Sequence, residues 1–425
     1  MIDLKEIKSR HDEISANIKN RFMDVDLEHI EELQTKRAEI LQKTEELRAA
    51  RNANASKMKG KMDNETRQGL IAQGKELKVQ IAEVEKELSE IEAEYFALGA
   101  TIPNYANPSA PVGKEDKDNL AVKFFGEPTK FDFKPMDHVQ LGEKLDLIDF
   151  DKGAKVSGAK SYYLKNKAVI LQMAIERYAM DIVIKHGFTP FITPDVAKEE
   201  ILKGIGFNPR GAESNIYTIE GTDTCLVGTA EITLGGYYQG EILDKKDLPI
   251  KMTGLSHCFR REAGGAGQYS KGLYRVHQFS KLEMFIICLP EQSDDFHAKL
   301  LAVEEEIFQG LGLPYRVVDT CTGDLGAPAY RKFDIEAWMP GRGDEGEYGE
   351  VTSTSNCTDY QSRSLQIRYR DDEGKVQFVH MLNGTAVALS RAMVAILENY
   401  QTKDGSIKMP DALIPYTGFN EIEAR

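Results

Sequence analysis

Long apolar runs are missing from this 425-residue chain: nowhere do about 18 apolar residues follow one another, as a bilayer-spanning helix requires. The opening MIDLKEIKSRHDE has neither the apolar core of a signal peptide nor the acid-poor character of a transit peptide, so a cytoplasmic location with no membrane partner is expected. Cysteine is scarce. Cys225, Cys258, Cys288, Cys321 and Cys357 are odd in number, form no CxxC pair and have no histidine at zinc-ligand spacing. Reduced thiols are therefore expected, with neither a disulfide framework nor zinc. No GxxxxGK[ST] occurs, which removes the common phosphate-loop ATPases, and Gly264, Gly265 and Gly267 do not follow a strand-to-helix turn, which removes a dinucleotide site. Positive charge is in deficit, with a formal net charge of −14, and such a balance ordinarily argues against nucleic acid. The local sign differs from the net one: residues 48–61 hold Arg48, Arg51, Lys57, Lys59 and Lys61 with no acid among them.

What is present suffices for a large core plus an accessory domain, since 41% of the residues are hydrophobic. Ile30, Leu33, Arg37, Ile40, Thr44 and Leu47 step by three and four, as do Leu70, Gly74, Leu77, Ile81, Val84, Leu88, Ile91, Tyr95 and Leu98. This heptad spacing predicts two helices, each roughly 45 Å long at ~1.5 Å per residue. Gly60 and Asn64 in the intervening SKMKGKMDNET suit a turn that folds them back as an antiparallel hairpin. The boundaries expected are an arm over residues 1–100, a linker over 101–118 rich in Pro, Asn, Gly and charge, and a main domain over 119–425. In that domain no repeated βαβ unit with a phosphate-binding turn is found, so an antiparallel sheet with flanking helices, an α+β fold, is expected.

The densest chemistry lies in HCFRREAGGAGQYSKGLYRVHQFSKLEMF, residues 257–285. Its flanks alternate as two paired strands would, around a glycine-rich loop over 264–272. Period 2 puts Arg260 and Glu262 on one face, and Arg275, Phe279 and Glu283 on one face of the returning strand. Guanidinium groups that fork onto phosphates, a ring that stacks on a base, and carboxylates for an amine or magnesium together suit a nucleoside triphosphate. His257 and Cys258 are read as strand and core residues, not as a nucleophilic pair. KMTGL at Lys251 lacks the partner motif that would make it a nucleotide signature.

The string FRREAG followed by GLYRVHQFSKLE resembles motif 2 of the class II aminoacyl-tRNA synthetases, and more narrowly that of the bacterial and organellar seryl-tRNA synthetases. GTAE at 228–231, GEVTSTSNCTDYQSRSLQIRYR at 349–370 and HMLNGTAVALSRAMVAILENYQ at 380–401 agree in order and spacing, so the resemblance covers nearly the whole chain. The helical stretch 165–186 with the extended GFTPFITPDV and Pro194 resembles motif 1, which implies a homodimer.

The resemblance implies a class II catalytic domain behind a tRNA-binding coiled-coil arm. It implies a ligase that joins L-serine to ATP as seryl-adenylate and passes serine to the 3′-terminal adenosine of tRNA(Ser), and of tRNA(Sec) where present. Arg260, Arg275 and Arg391 would be catalytic. Arg260 would meet the α-phosphate and the serine carboxylate, and Arg275 with Arg391 the outer phosphates. Phe279 and Arg391 would sandwich adenine, and Arg261, Glu262, Val276, Glu350, Val351, Thr352 and Ser353 would complete the ATP site. Glu350 with Ser353 would hold Mg2+. Thr229, Ala230 and Glu231 would receive the α-amino group, Glu283, Thr385 and Asn383 the rest of serine, and Arg48, Arg51, Lys57, Lys59 and Lys61 the tRNA. ATP enters as substrate, and the zinc of a rare archaeal branch is not expected. Gln268 and Lys271 stand where many relatives carry arginine, and Gly228 and Ser390 also depart from the family pattern. Two alternatives remain at this level, a non-catalytic RNA-binding derivative and an amino acid:carrier-protein ligase. The three arginines oppose the first, and the long arm opposes the second.

Overall fold

The computed structural model describes residues 1–207, 215–262 and 272–424, and the chain divides into two compact units, Met1–Pro103 and Asn104–Arg425. In the first unit, α1 spans Leu27–Lys57 and α2 spans Asn64–Gly99. Each begins at an aspartate: Asp26 accepts from the His29 amide at 3.0 Å and Asp63 from the Thr66 amide at 2.8 Å. Gly60 lies in the turn as expected, whereas Asn64 already begins α2. Ile30, Leu33, Ile40 and Thr44 of α1 are buried, as are Leu77, Ile81, Val84 and Tyr95 of α2.

Cross-helix contacts pair His29 with Glu94, Arg37 with Glu92, Arg48 with Glu85 and Asn54 with Leu70, so the helices run antiparallel. The polar seam positions have partners. Thr44 donates to Ile40 O at 2.8 Å, Arg37 lies over the Phe96 ring, and Gly74 leaves room for Asn54, which donates to Leu70 O at 2.9 Å.

In the second unit, residues expected as linker are bound into the fold from Asn104 onward. The Asn104 amide donates to Pro328 O, Cys357 O and Thr358 Oγ1 at 2.9–3.0 Å, and Gly113 O accepts from the Gly323 amide at 2.8 Å. Eight strands form the main sheet: β1 (Leu120–Phe125), β2 (Thr189–Ile192), β3 (Ile250–Phe259), β4 (Gln278–Cys288), β5 (Tyr315–Asp319), β6 (Arg331–Met339), β7 (Glu347–Asn356) and β8 (His380–Ala388). Their order is β1-β5-β6-β7-β8-β4-β3-β2, antiparallel throughout except that edge strand β2 runs parallel to β3.

The side-chain period of 2 explains how one strand serves two environments. Leu282, Met284, Ile286 and Cys288 of β4 enter the larger core under α4 (Lys167–Lys185), α6 (Ser293–Gly310) and α7 (Leu389–Asn399). On the other face Phe285 and Ile287 join a smaller core with α5 (Ala230–Gly236). Helix α3 (His138–Lys144) begins at Asp137, whose carboxylate accepts from the Gln140 amide at 2.8 Å. Cys225, Cys258, Cys288, Cys321 and Cys357 are free and buried, and among the described residues no helix is long and apolar enough to cross a membrane.

The expected hairpin is shorter in regular pairing than its alternation suggests. The ladder of β3 and β4 closes with Phe259 opposite Gln278, and Arg260 N donates to His277 O at 2.9 Å just beyond it. Glu262 then takes φ +49°, a left-handed conformation that ends strand alternation. Arg260 and Glu262 therefore share no strand face, and Arg275 lies outside β4. Of the expected loop 264–272 only Gly272 is described; Gly264, Gln268 and Lys271 lie outside the described residues.

Candidate active site

Beyond Phe285, the face of β4 that carries the smaller core turns polar: Phe279, Lys281 and Glu283 line a cavity of about 230 Å3. Neighbouring β8 adds Asn383 and Thr385, β7 adds Glu350, Val351, Thr352 and Ser353, and α7 adds Arg391 in its first turn. Thr229 and Glu231 reach it from the start of α5, where Thr229 caps the helix by accepting from the Glu231 amide at 3.2 Å. Arg260 completes the wall, its Nε donating to Gly228 O at 3.2 Å and its guanidinium 5.3 Å from the Phe279 ring centroid. Most of the residues singled out from sequence thus converge.

Several do not. Ala230 is fully buried in the smaller core, and Val276 is buried away from the cavity wall. Arg261 is exposed, and Arg275 pairs outside the cavity with Glu262 at 3.3 Å. The arm cations lie in the other unit, where Arg51, Lys57, Lys59 and Lys61 are exposed and Arg48 pairs with Glu85 at 2.7 Å. His257 has a carboxylate partner that its sequence did not show, Asp195 at 3.0 Å, but adjacent Cys258 is fully buried, so the two make no nucleophilic pair.

The cavity has two chemically distinct ends. At one, Lys281 is 7% exposed and forms a close ion pair with Glu283, itself 1% exposed. Thr385 Oγ1 donates to Glu283 Oε2 at 3.2 Å and accepts from Lys281 Nζ at 3.3 Å. Lys281 is the residue that sequence reasoning missed, although period 2 places it between Phe279 and Glu283 on one face. Glu231 lies close by, accepting from Gln361 at 2.7 Å and Asn383 at 2.9 Å. Burial, followed by the charge of Glu283, pushes its carboxyl up to about 7 against the opposing pull of Gln361, Lys281 and Arg260.

At the other end Arg391 meets Glu350 at 3.0 Å and lies 4.7 Å from the ring centroid of Tyr274, whose hydroxyl donates to Glu350 O at 3.1 Å. Tyr274 was not singled out from sequence. Burial opposes ionisation of Glu350, yet Arg391, Lys332 and Arg260 hold its carboxyl below the usual range. Its side chain remains 44% exposed, an anion with an open face. Among the described residues no cluster of three His, Cys, Asp or Glu side chains forms a metal site.

Under the sheet, Glu304 of α6 is fully buried; Thr352 donates to its Oε2 at 2.7 Å, and among the described residues Oε1 has no hydrogen-bond partner. A Cβ on Gly384 would fall 2.8 Å from that Oε1, so the glycine makes room for the acid. Burial first, then Glu283 and Asp334, raise its carboxyl well above the ordinary range, which makes it the neutral acid beneath a paired layer of charge.

A family profile described as the tRNA synthetase class II core domain (G, H, P, S and T) matches residues 217–400, the stretch that supplies nearly all of this cavity. Fold and site together define a class II aminoacyl-tRNA synthetase. A second profile, the seryl-tRNA synthetase N-terminal domain, matches residues 1–106. The serine–tRNA ligase of Treponema denticola is 63% identical over 99% of this chain and 100% of its own. Among solved structures, the seryl-tRNA synthetase of Pyrococcus horikoshii complexed with ATP superposes with a TM-score of 0.89 at 41% identity, covering 100% of both chains. The cytoplasmic serine–tRNA ligase of Naegleria fowleri in complex with AMP gives 0.83 at 32%, covering 97% of this chain and 95% of that one. The chain belongs to the seryl-tRNA synthetase family.

The neutral state of Glu304 is testable without substrates. Because folding raises this pKa, ionisation removes stability as pH climbs above the ordinary carboxylate range. Glu304→Gln, isosteric with the neutral acid, is expected to melt at or above the wild-type temperature at pH 7 and to lack the loss that sets in above the ordinary carboxylate range in a pH series of thermal unfolding curves. A markedly lower melting point for the glutamine variant would show the acid to be ionised.

Proposed function

We propose that the chain acts as an ATP-dependent serine–tRNA ligase whose cavity builds seryl-adenylate and whose arm grips the tRNA. The observation that carries this reading is the division of the cavity into a cationic end, Arg260 and Arg391, and a hydroxyl-matching end, Lys281, Glu283 and Thr385. It is supported by relatives that are serine–tRNA ligases over their full length and by solved neighbours that hold ATP or AMP.

In the first step the serine carboxylate attacks the α-phosphorus of ATP in line, the bond to the bridging oxygen breaks, and pyrophosphate leaves. No enzyme nucleophile is needed, so the protein positions and neutralises. Arg260 faces the α-phosphate and the serine carboxylate, Phe279 stacks on adenine, and Arg391 covers the opposite face and the outer phosphates. Arg261, Glu262 and Arg275 reach the nucleotide from the rim, where Val276, its side chain buried, offers only its backbone. Thr229 and Glu231, on the backbone of Ala230, receive the α-ammonium beside Asn383.

The serine hydroxyl donates to Glu283 and accepts from Lys281, with Thr385 bridging the two, so a side chain lacking a hydroxyl leaves buried groups unpaired. Such mismatch rejects an analogue by ~10⁴ to 10⁵, and alanine is excluded at this step. Magnesium prefers oxygen ligands and keeps several waters. The open, ionised carboxylate of Glu350 and the Ser353 hydroxyl would hold such an ion. When bound it supplies charge neutralisation between the phosphates.

In the second step a hydroxyl of the terminal adenosine of tRNA(Ser), or of tRNA(Sec) where that tRNA exists, attacks the seryl carbonyl and AMP leaves. The arm cations Arg48, Arg51, Lys57, Lys59 and Lys61 meet the tRNA backbone by charge and shape. A homodimer is supported by the apolar face of α4, where Val169, Ile170 and Met173 are exposed, and by edge strand β2 with Ile192 88% exposed. The proposed setting is the cytoplasm.

ATP–pyrophosphate exchange with each amino acid, followed by tRNA charging, tests this reading: exchange should be serine-specific, and Arg391→Ala should lose at least about a hundredfold whether or not tRNA is present. Exchange with no amino acid from folded protein would overturn it. An ionised Glu231 is needed for the ammonium, so kcat/KM for serine should fall as pH drops below about 7, and Glu231→Gln should remove that limb along with most of the activity. Replacing Lys57, Lys59 and Lys61 by alanine should leave exchange intact, weaken charging, and flatten its dependence on salt. Normal charging by that variant across a salt series would remove the arm from tRNA binding.

A further inference from the structure

His138, the first residue of α3, is buried at the exit of the glycine-rich loop and has both ring nitrogens engaged. Nε2 lies 3.1 Å from the Leu273 amide, which can only donate, so Nε2 is the unprotonated acceptor. The ring proton therefore sits on Nδ1 and is donated to Glu398 Oε1 at 2.8 Å. Glu398 is itself 1% exposed; its Oε1 also accepts from the His138 amide at 3.0 Å and its Oε2 from the Gly341 amide at 2.9 Å. This carboxylate stands on α7 seven residues, two helical turns, beyond Arg391 and on the same side of the helix. The chain closes tightly around the ring: Gly272 has φ +69°, and a Cβ there would lie 2.0 Å from His138 Nε2.

We infer that His138 and Glu398 form a positioning pair that fixes the return limb 272–275 against α7, and so sets where Arg391 is held. The chain of contacts is short. Leu273 is tied to the imidazole, the next residue Tyr274 stacks with Arg391 at 4.7 Å and donates to Glu350 O, and Arg391 pairs with Glu350. Neither His138 nor Glu398 lines the cavity, so the pair acts on the nucleotide only through Tyr274 and Arg391. The acceptor at Nε2 is the operative atom, because among the described residues the Leu273 amide has no other acceptor and loses register without it. This inference rests on the ATP reading of the Arg391 end for its kinetic consequence, and on geometry alone for the positioning.

Three variants separate the atoms. Glutamine at His138 places a carbonyl oxygen near Nε2, asparagine places an amide near Nδ1 and leaves Nε2 empty, and alanine removes both. Hydrogen exchange at the Leu273 amide, read without substrates, should be slow in the wild type and in His138→Gln and fast in His138→Asn and His138→Ala. In pyrophosphate exchange, His138→Asn and His138→Ala should lose about ten- to a hundredfold in kcat/KM for ATP with little change in KM for serine, and His138→Gln should recover much of it. Equal Leu273 exchange in all four proteins, equal kinetics for glutamine and asparagine, or a parallel rise in KM for serine would each overturn the positioning role. A wild type that protects Leu273 yet shows no exchange with any amino acid would overturn the ligase reading and leave the positioning pair standing.

Discussion

The close pair of Lys281 and Glu283 inside the main sheet is the interaction on which the cavity depends. A lone ammonium or carboxylate at such depth would be driven to its neutral form, and removing either partner from a buried pair strands the other. With both in place, each charge has its partner, Thr385 is oriented between them, and the nearby Glu231 is pushed up by burial and then by the charge of Glu283. Under the sheet Glu304 takes the neutral form that a second buried acid beside Glu283 must take. The opposite end repeats the logic with the signs arranged differently, since Arg391, Lys332 and Arg260 outweigh burial and keep Glu350 ionised. Pairs of acids whose surroundings push their proton affinities apart mark a working site more clearly than any one residue does.

Much of this was legible in the sequence because two periods, 3.6 and 2, carry most of the fold. Heptad spacing gave the arm, and its polar interruptions Arg37, Thr44 and Gly74 all turned out to have local partners or to make room for one. Alternation gave β3 and β4 and the shared face of Phe279 and Glu283. It failed where the backbone leaves the strand, at Glu262 with its positive φ, and so Arg275 could not be placed by counting. Lys281 lay on the right face in plain view but was read only as one step of an alternation. Tyr274, His138, Glu304 and Glu398 had no local signal at all. Their roles arise from contacts between segments more than a hundred residues apart, or from depth below the sheet, and neither is written in a short window of sequence.

Placement on strands also accounts for the fixed geometry of the cavity. Lys281, Glu283, Asn383, Thr385, Glu350 and Ser353 sit on three adjacent strands whose ladders set their spacing, while α5 and α7 enter with their first turns at the rim. Sites supported in this way hold their side chains more closely than sites built on loops. The larger core on the far face of β4 anchors the same strands through Leu282, Met284 and Ile286, so packing and chemistry are coupled one residue apart.

The amide of Asn54 in the seam of the arm has a mechanical meaning. Apolar heptads are nearly interchangeable, and two helices joined by them alone tolerate sliding by a whole repeat. One slip of seven residues at ~1.5 Å each would displace the cationic tip by about 10 Å. A single polar side chain bound to one carbonyl, Leu70 O, and fitted against one glycine, Gly74, has no equivalent partner a repeat away. The arm is in that sense a ruler whose graduation is fixed by this amide together with the cross-helix pairs of Arg37 with Glu92 and Arg48 with Glu85, and its reach is set by register as much as by length.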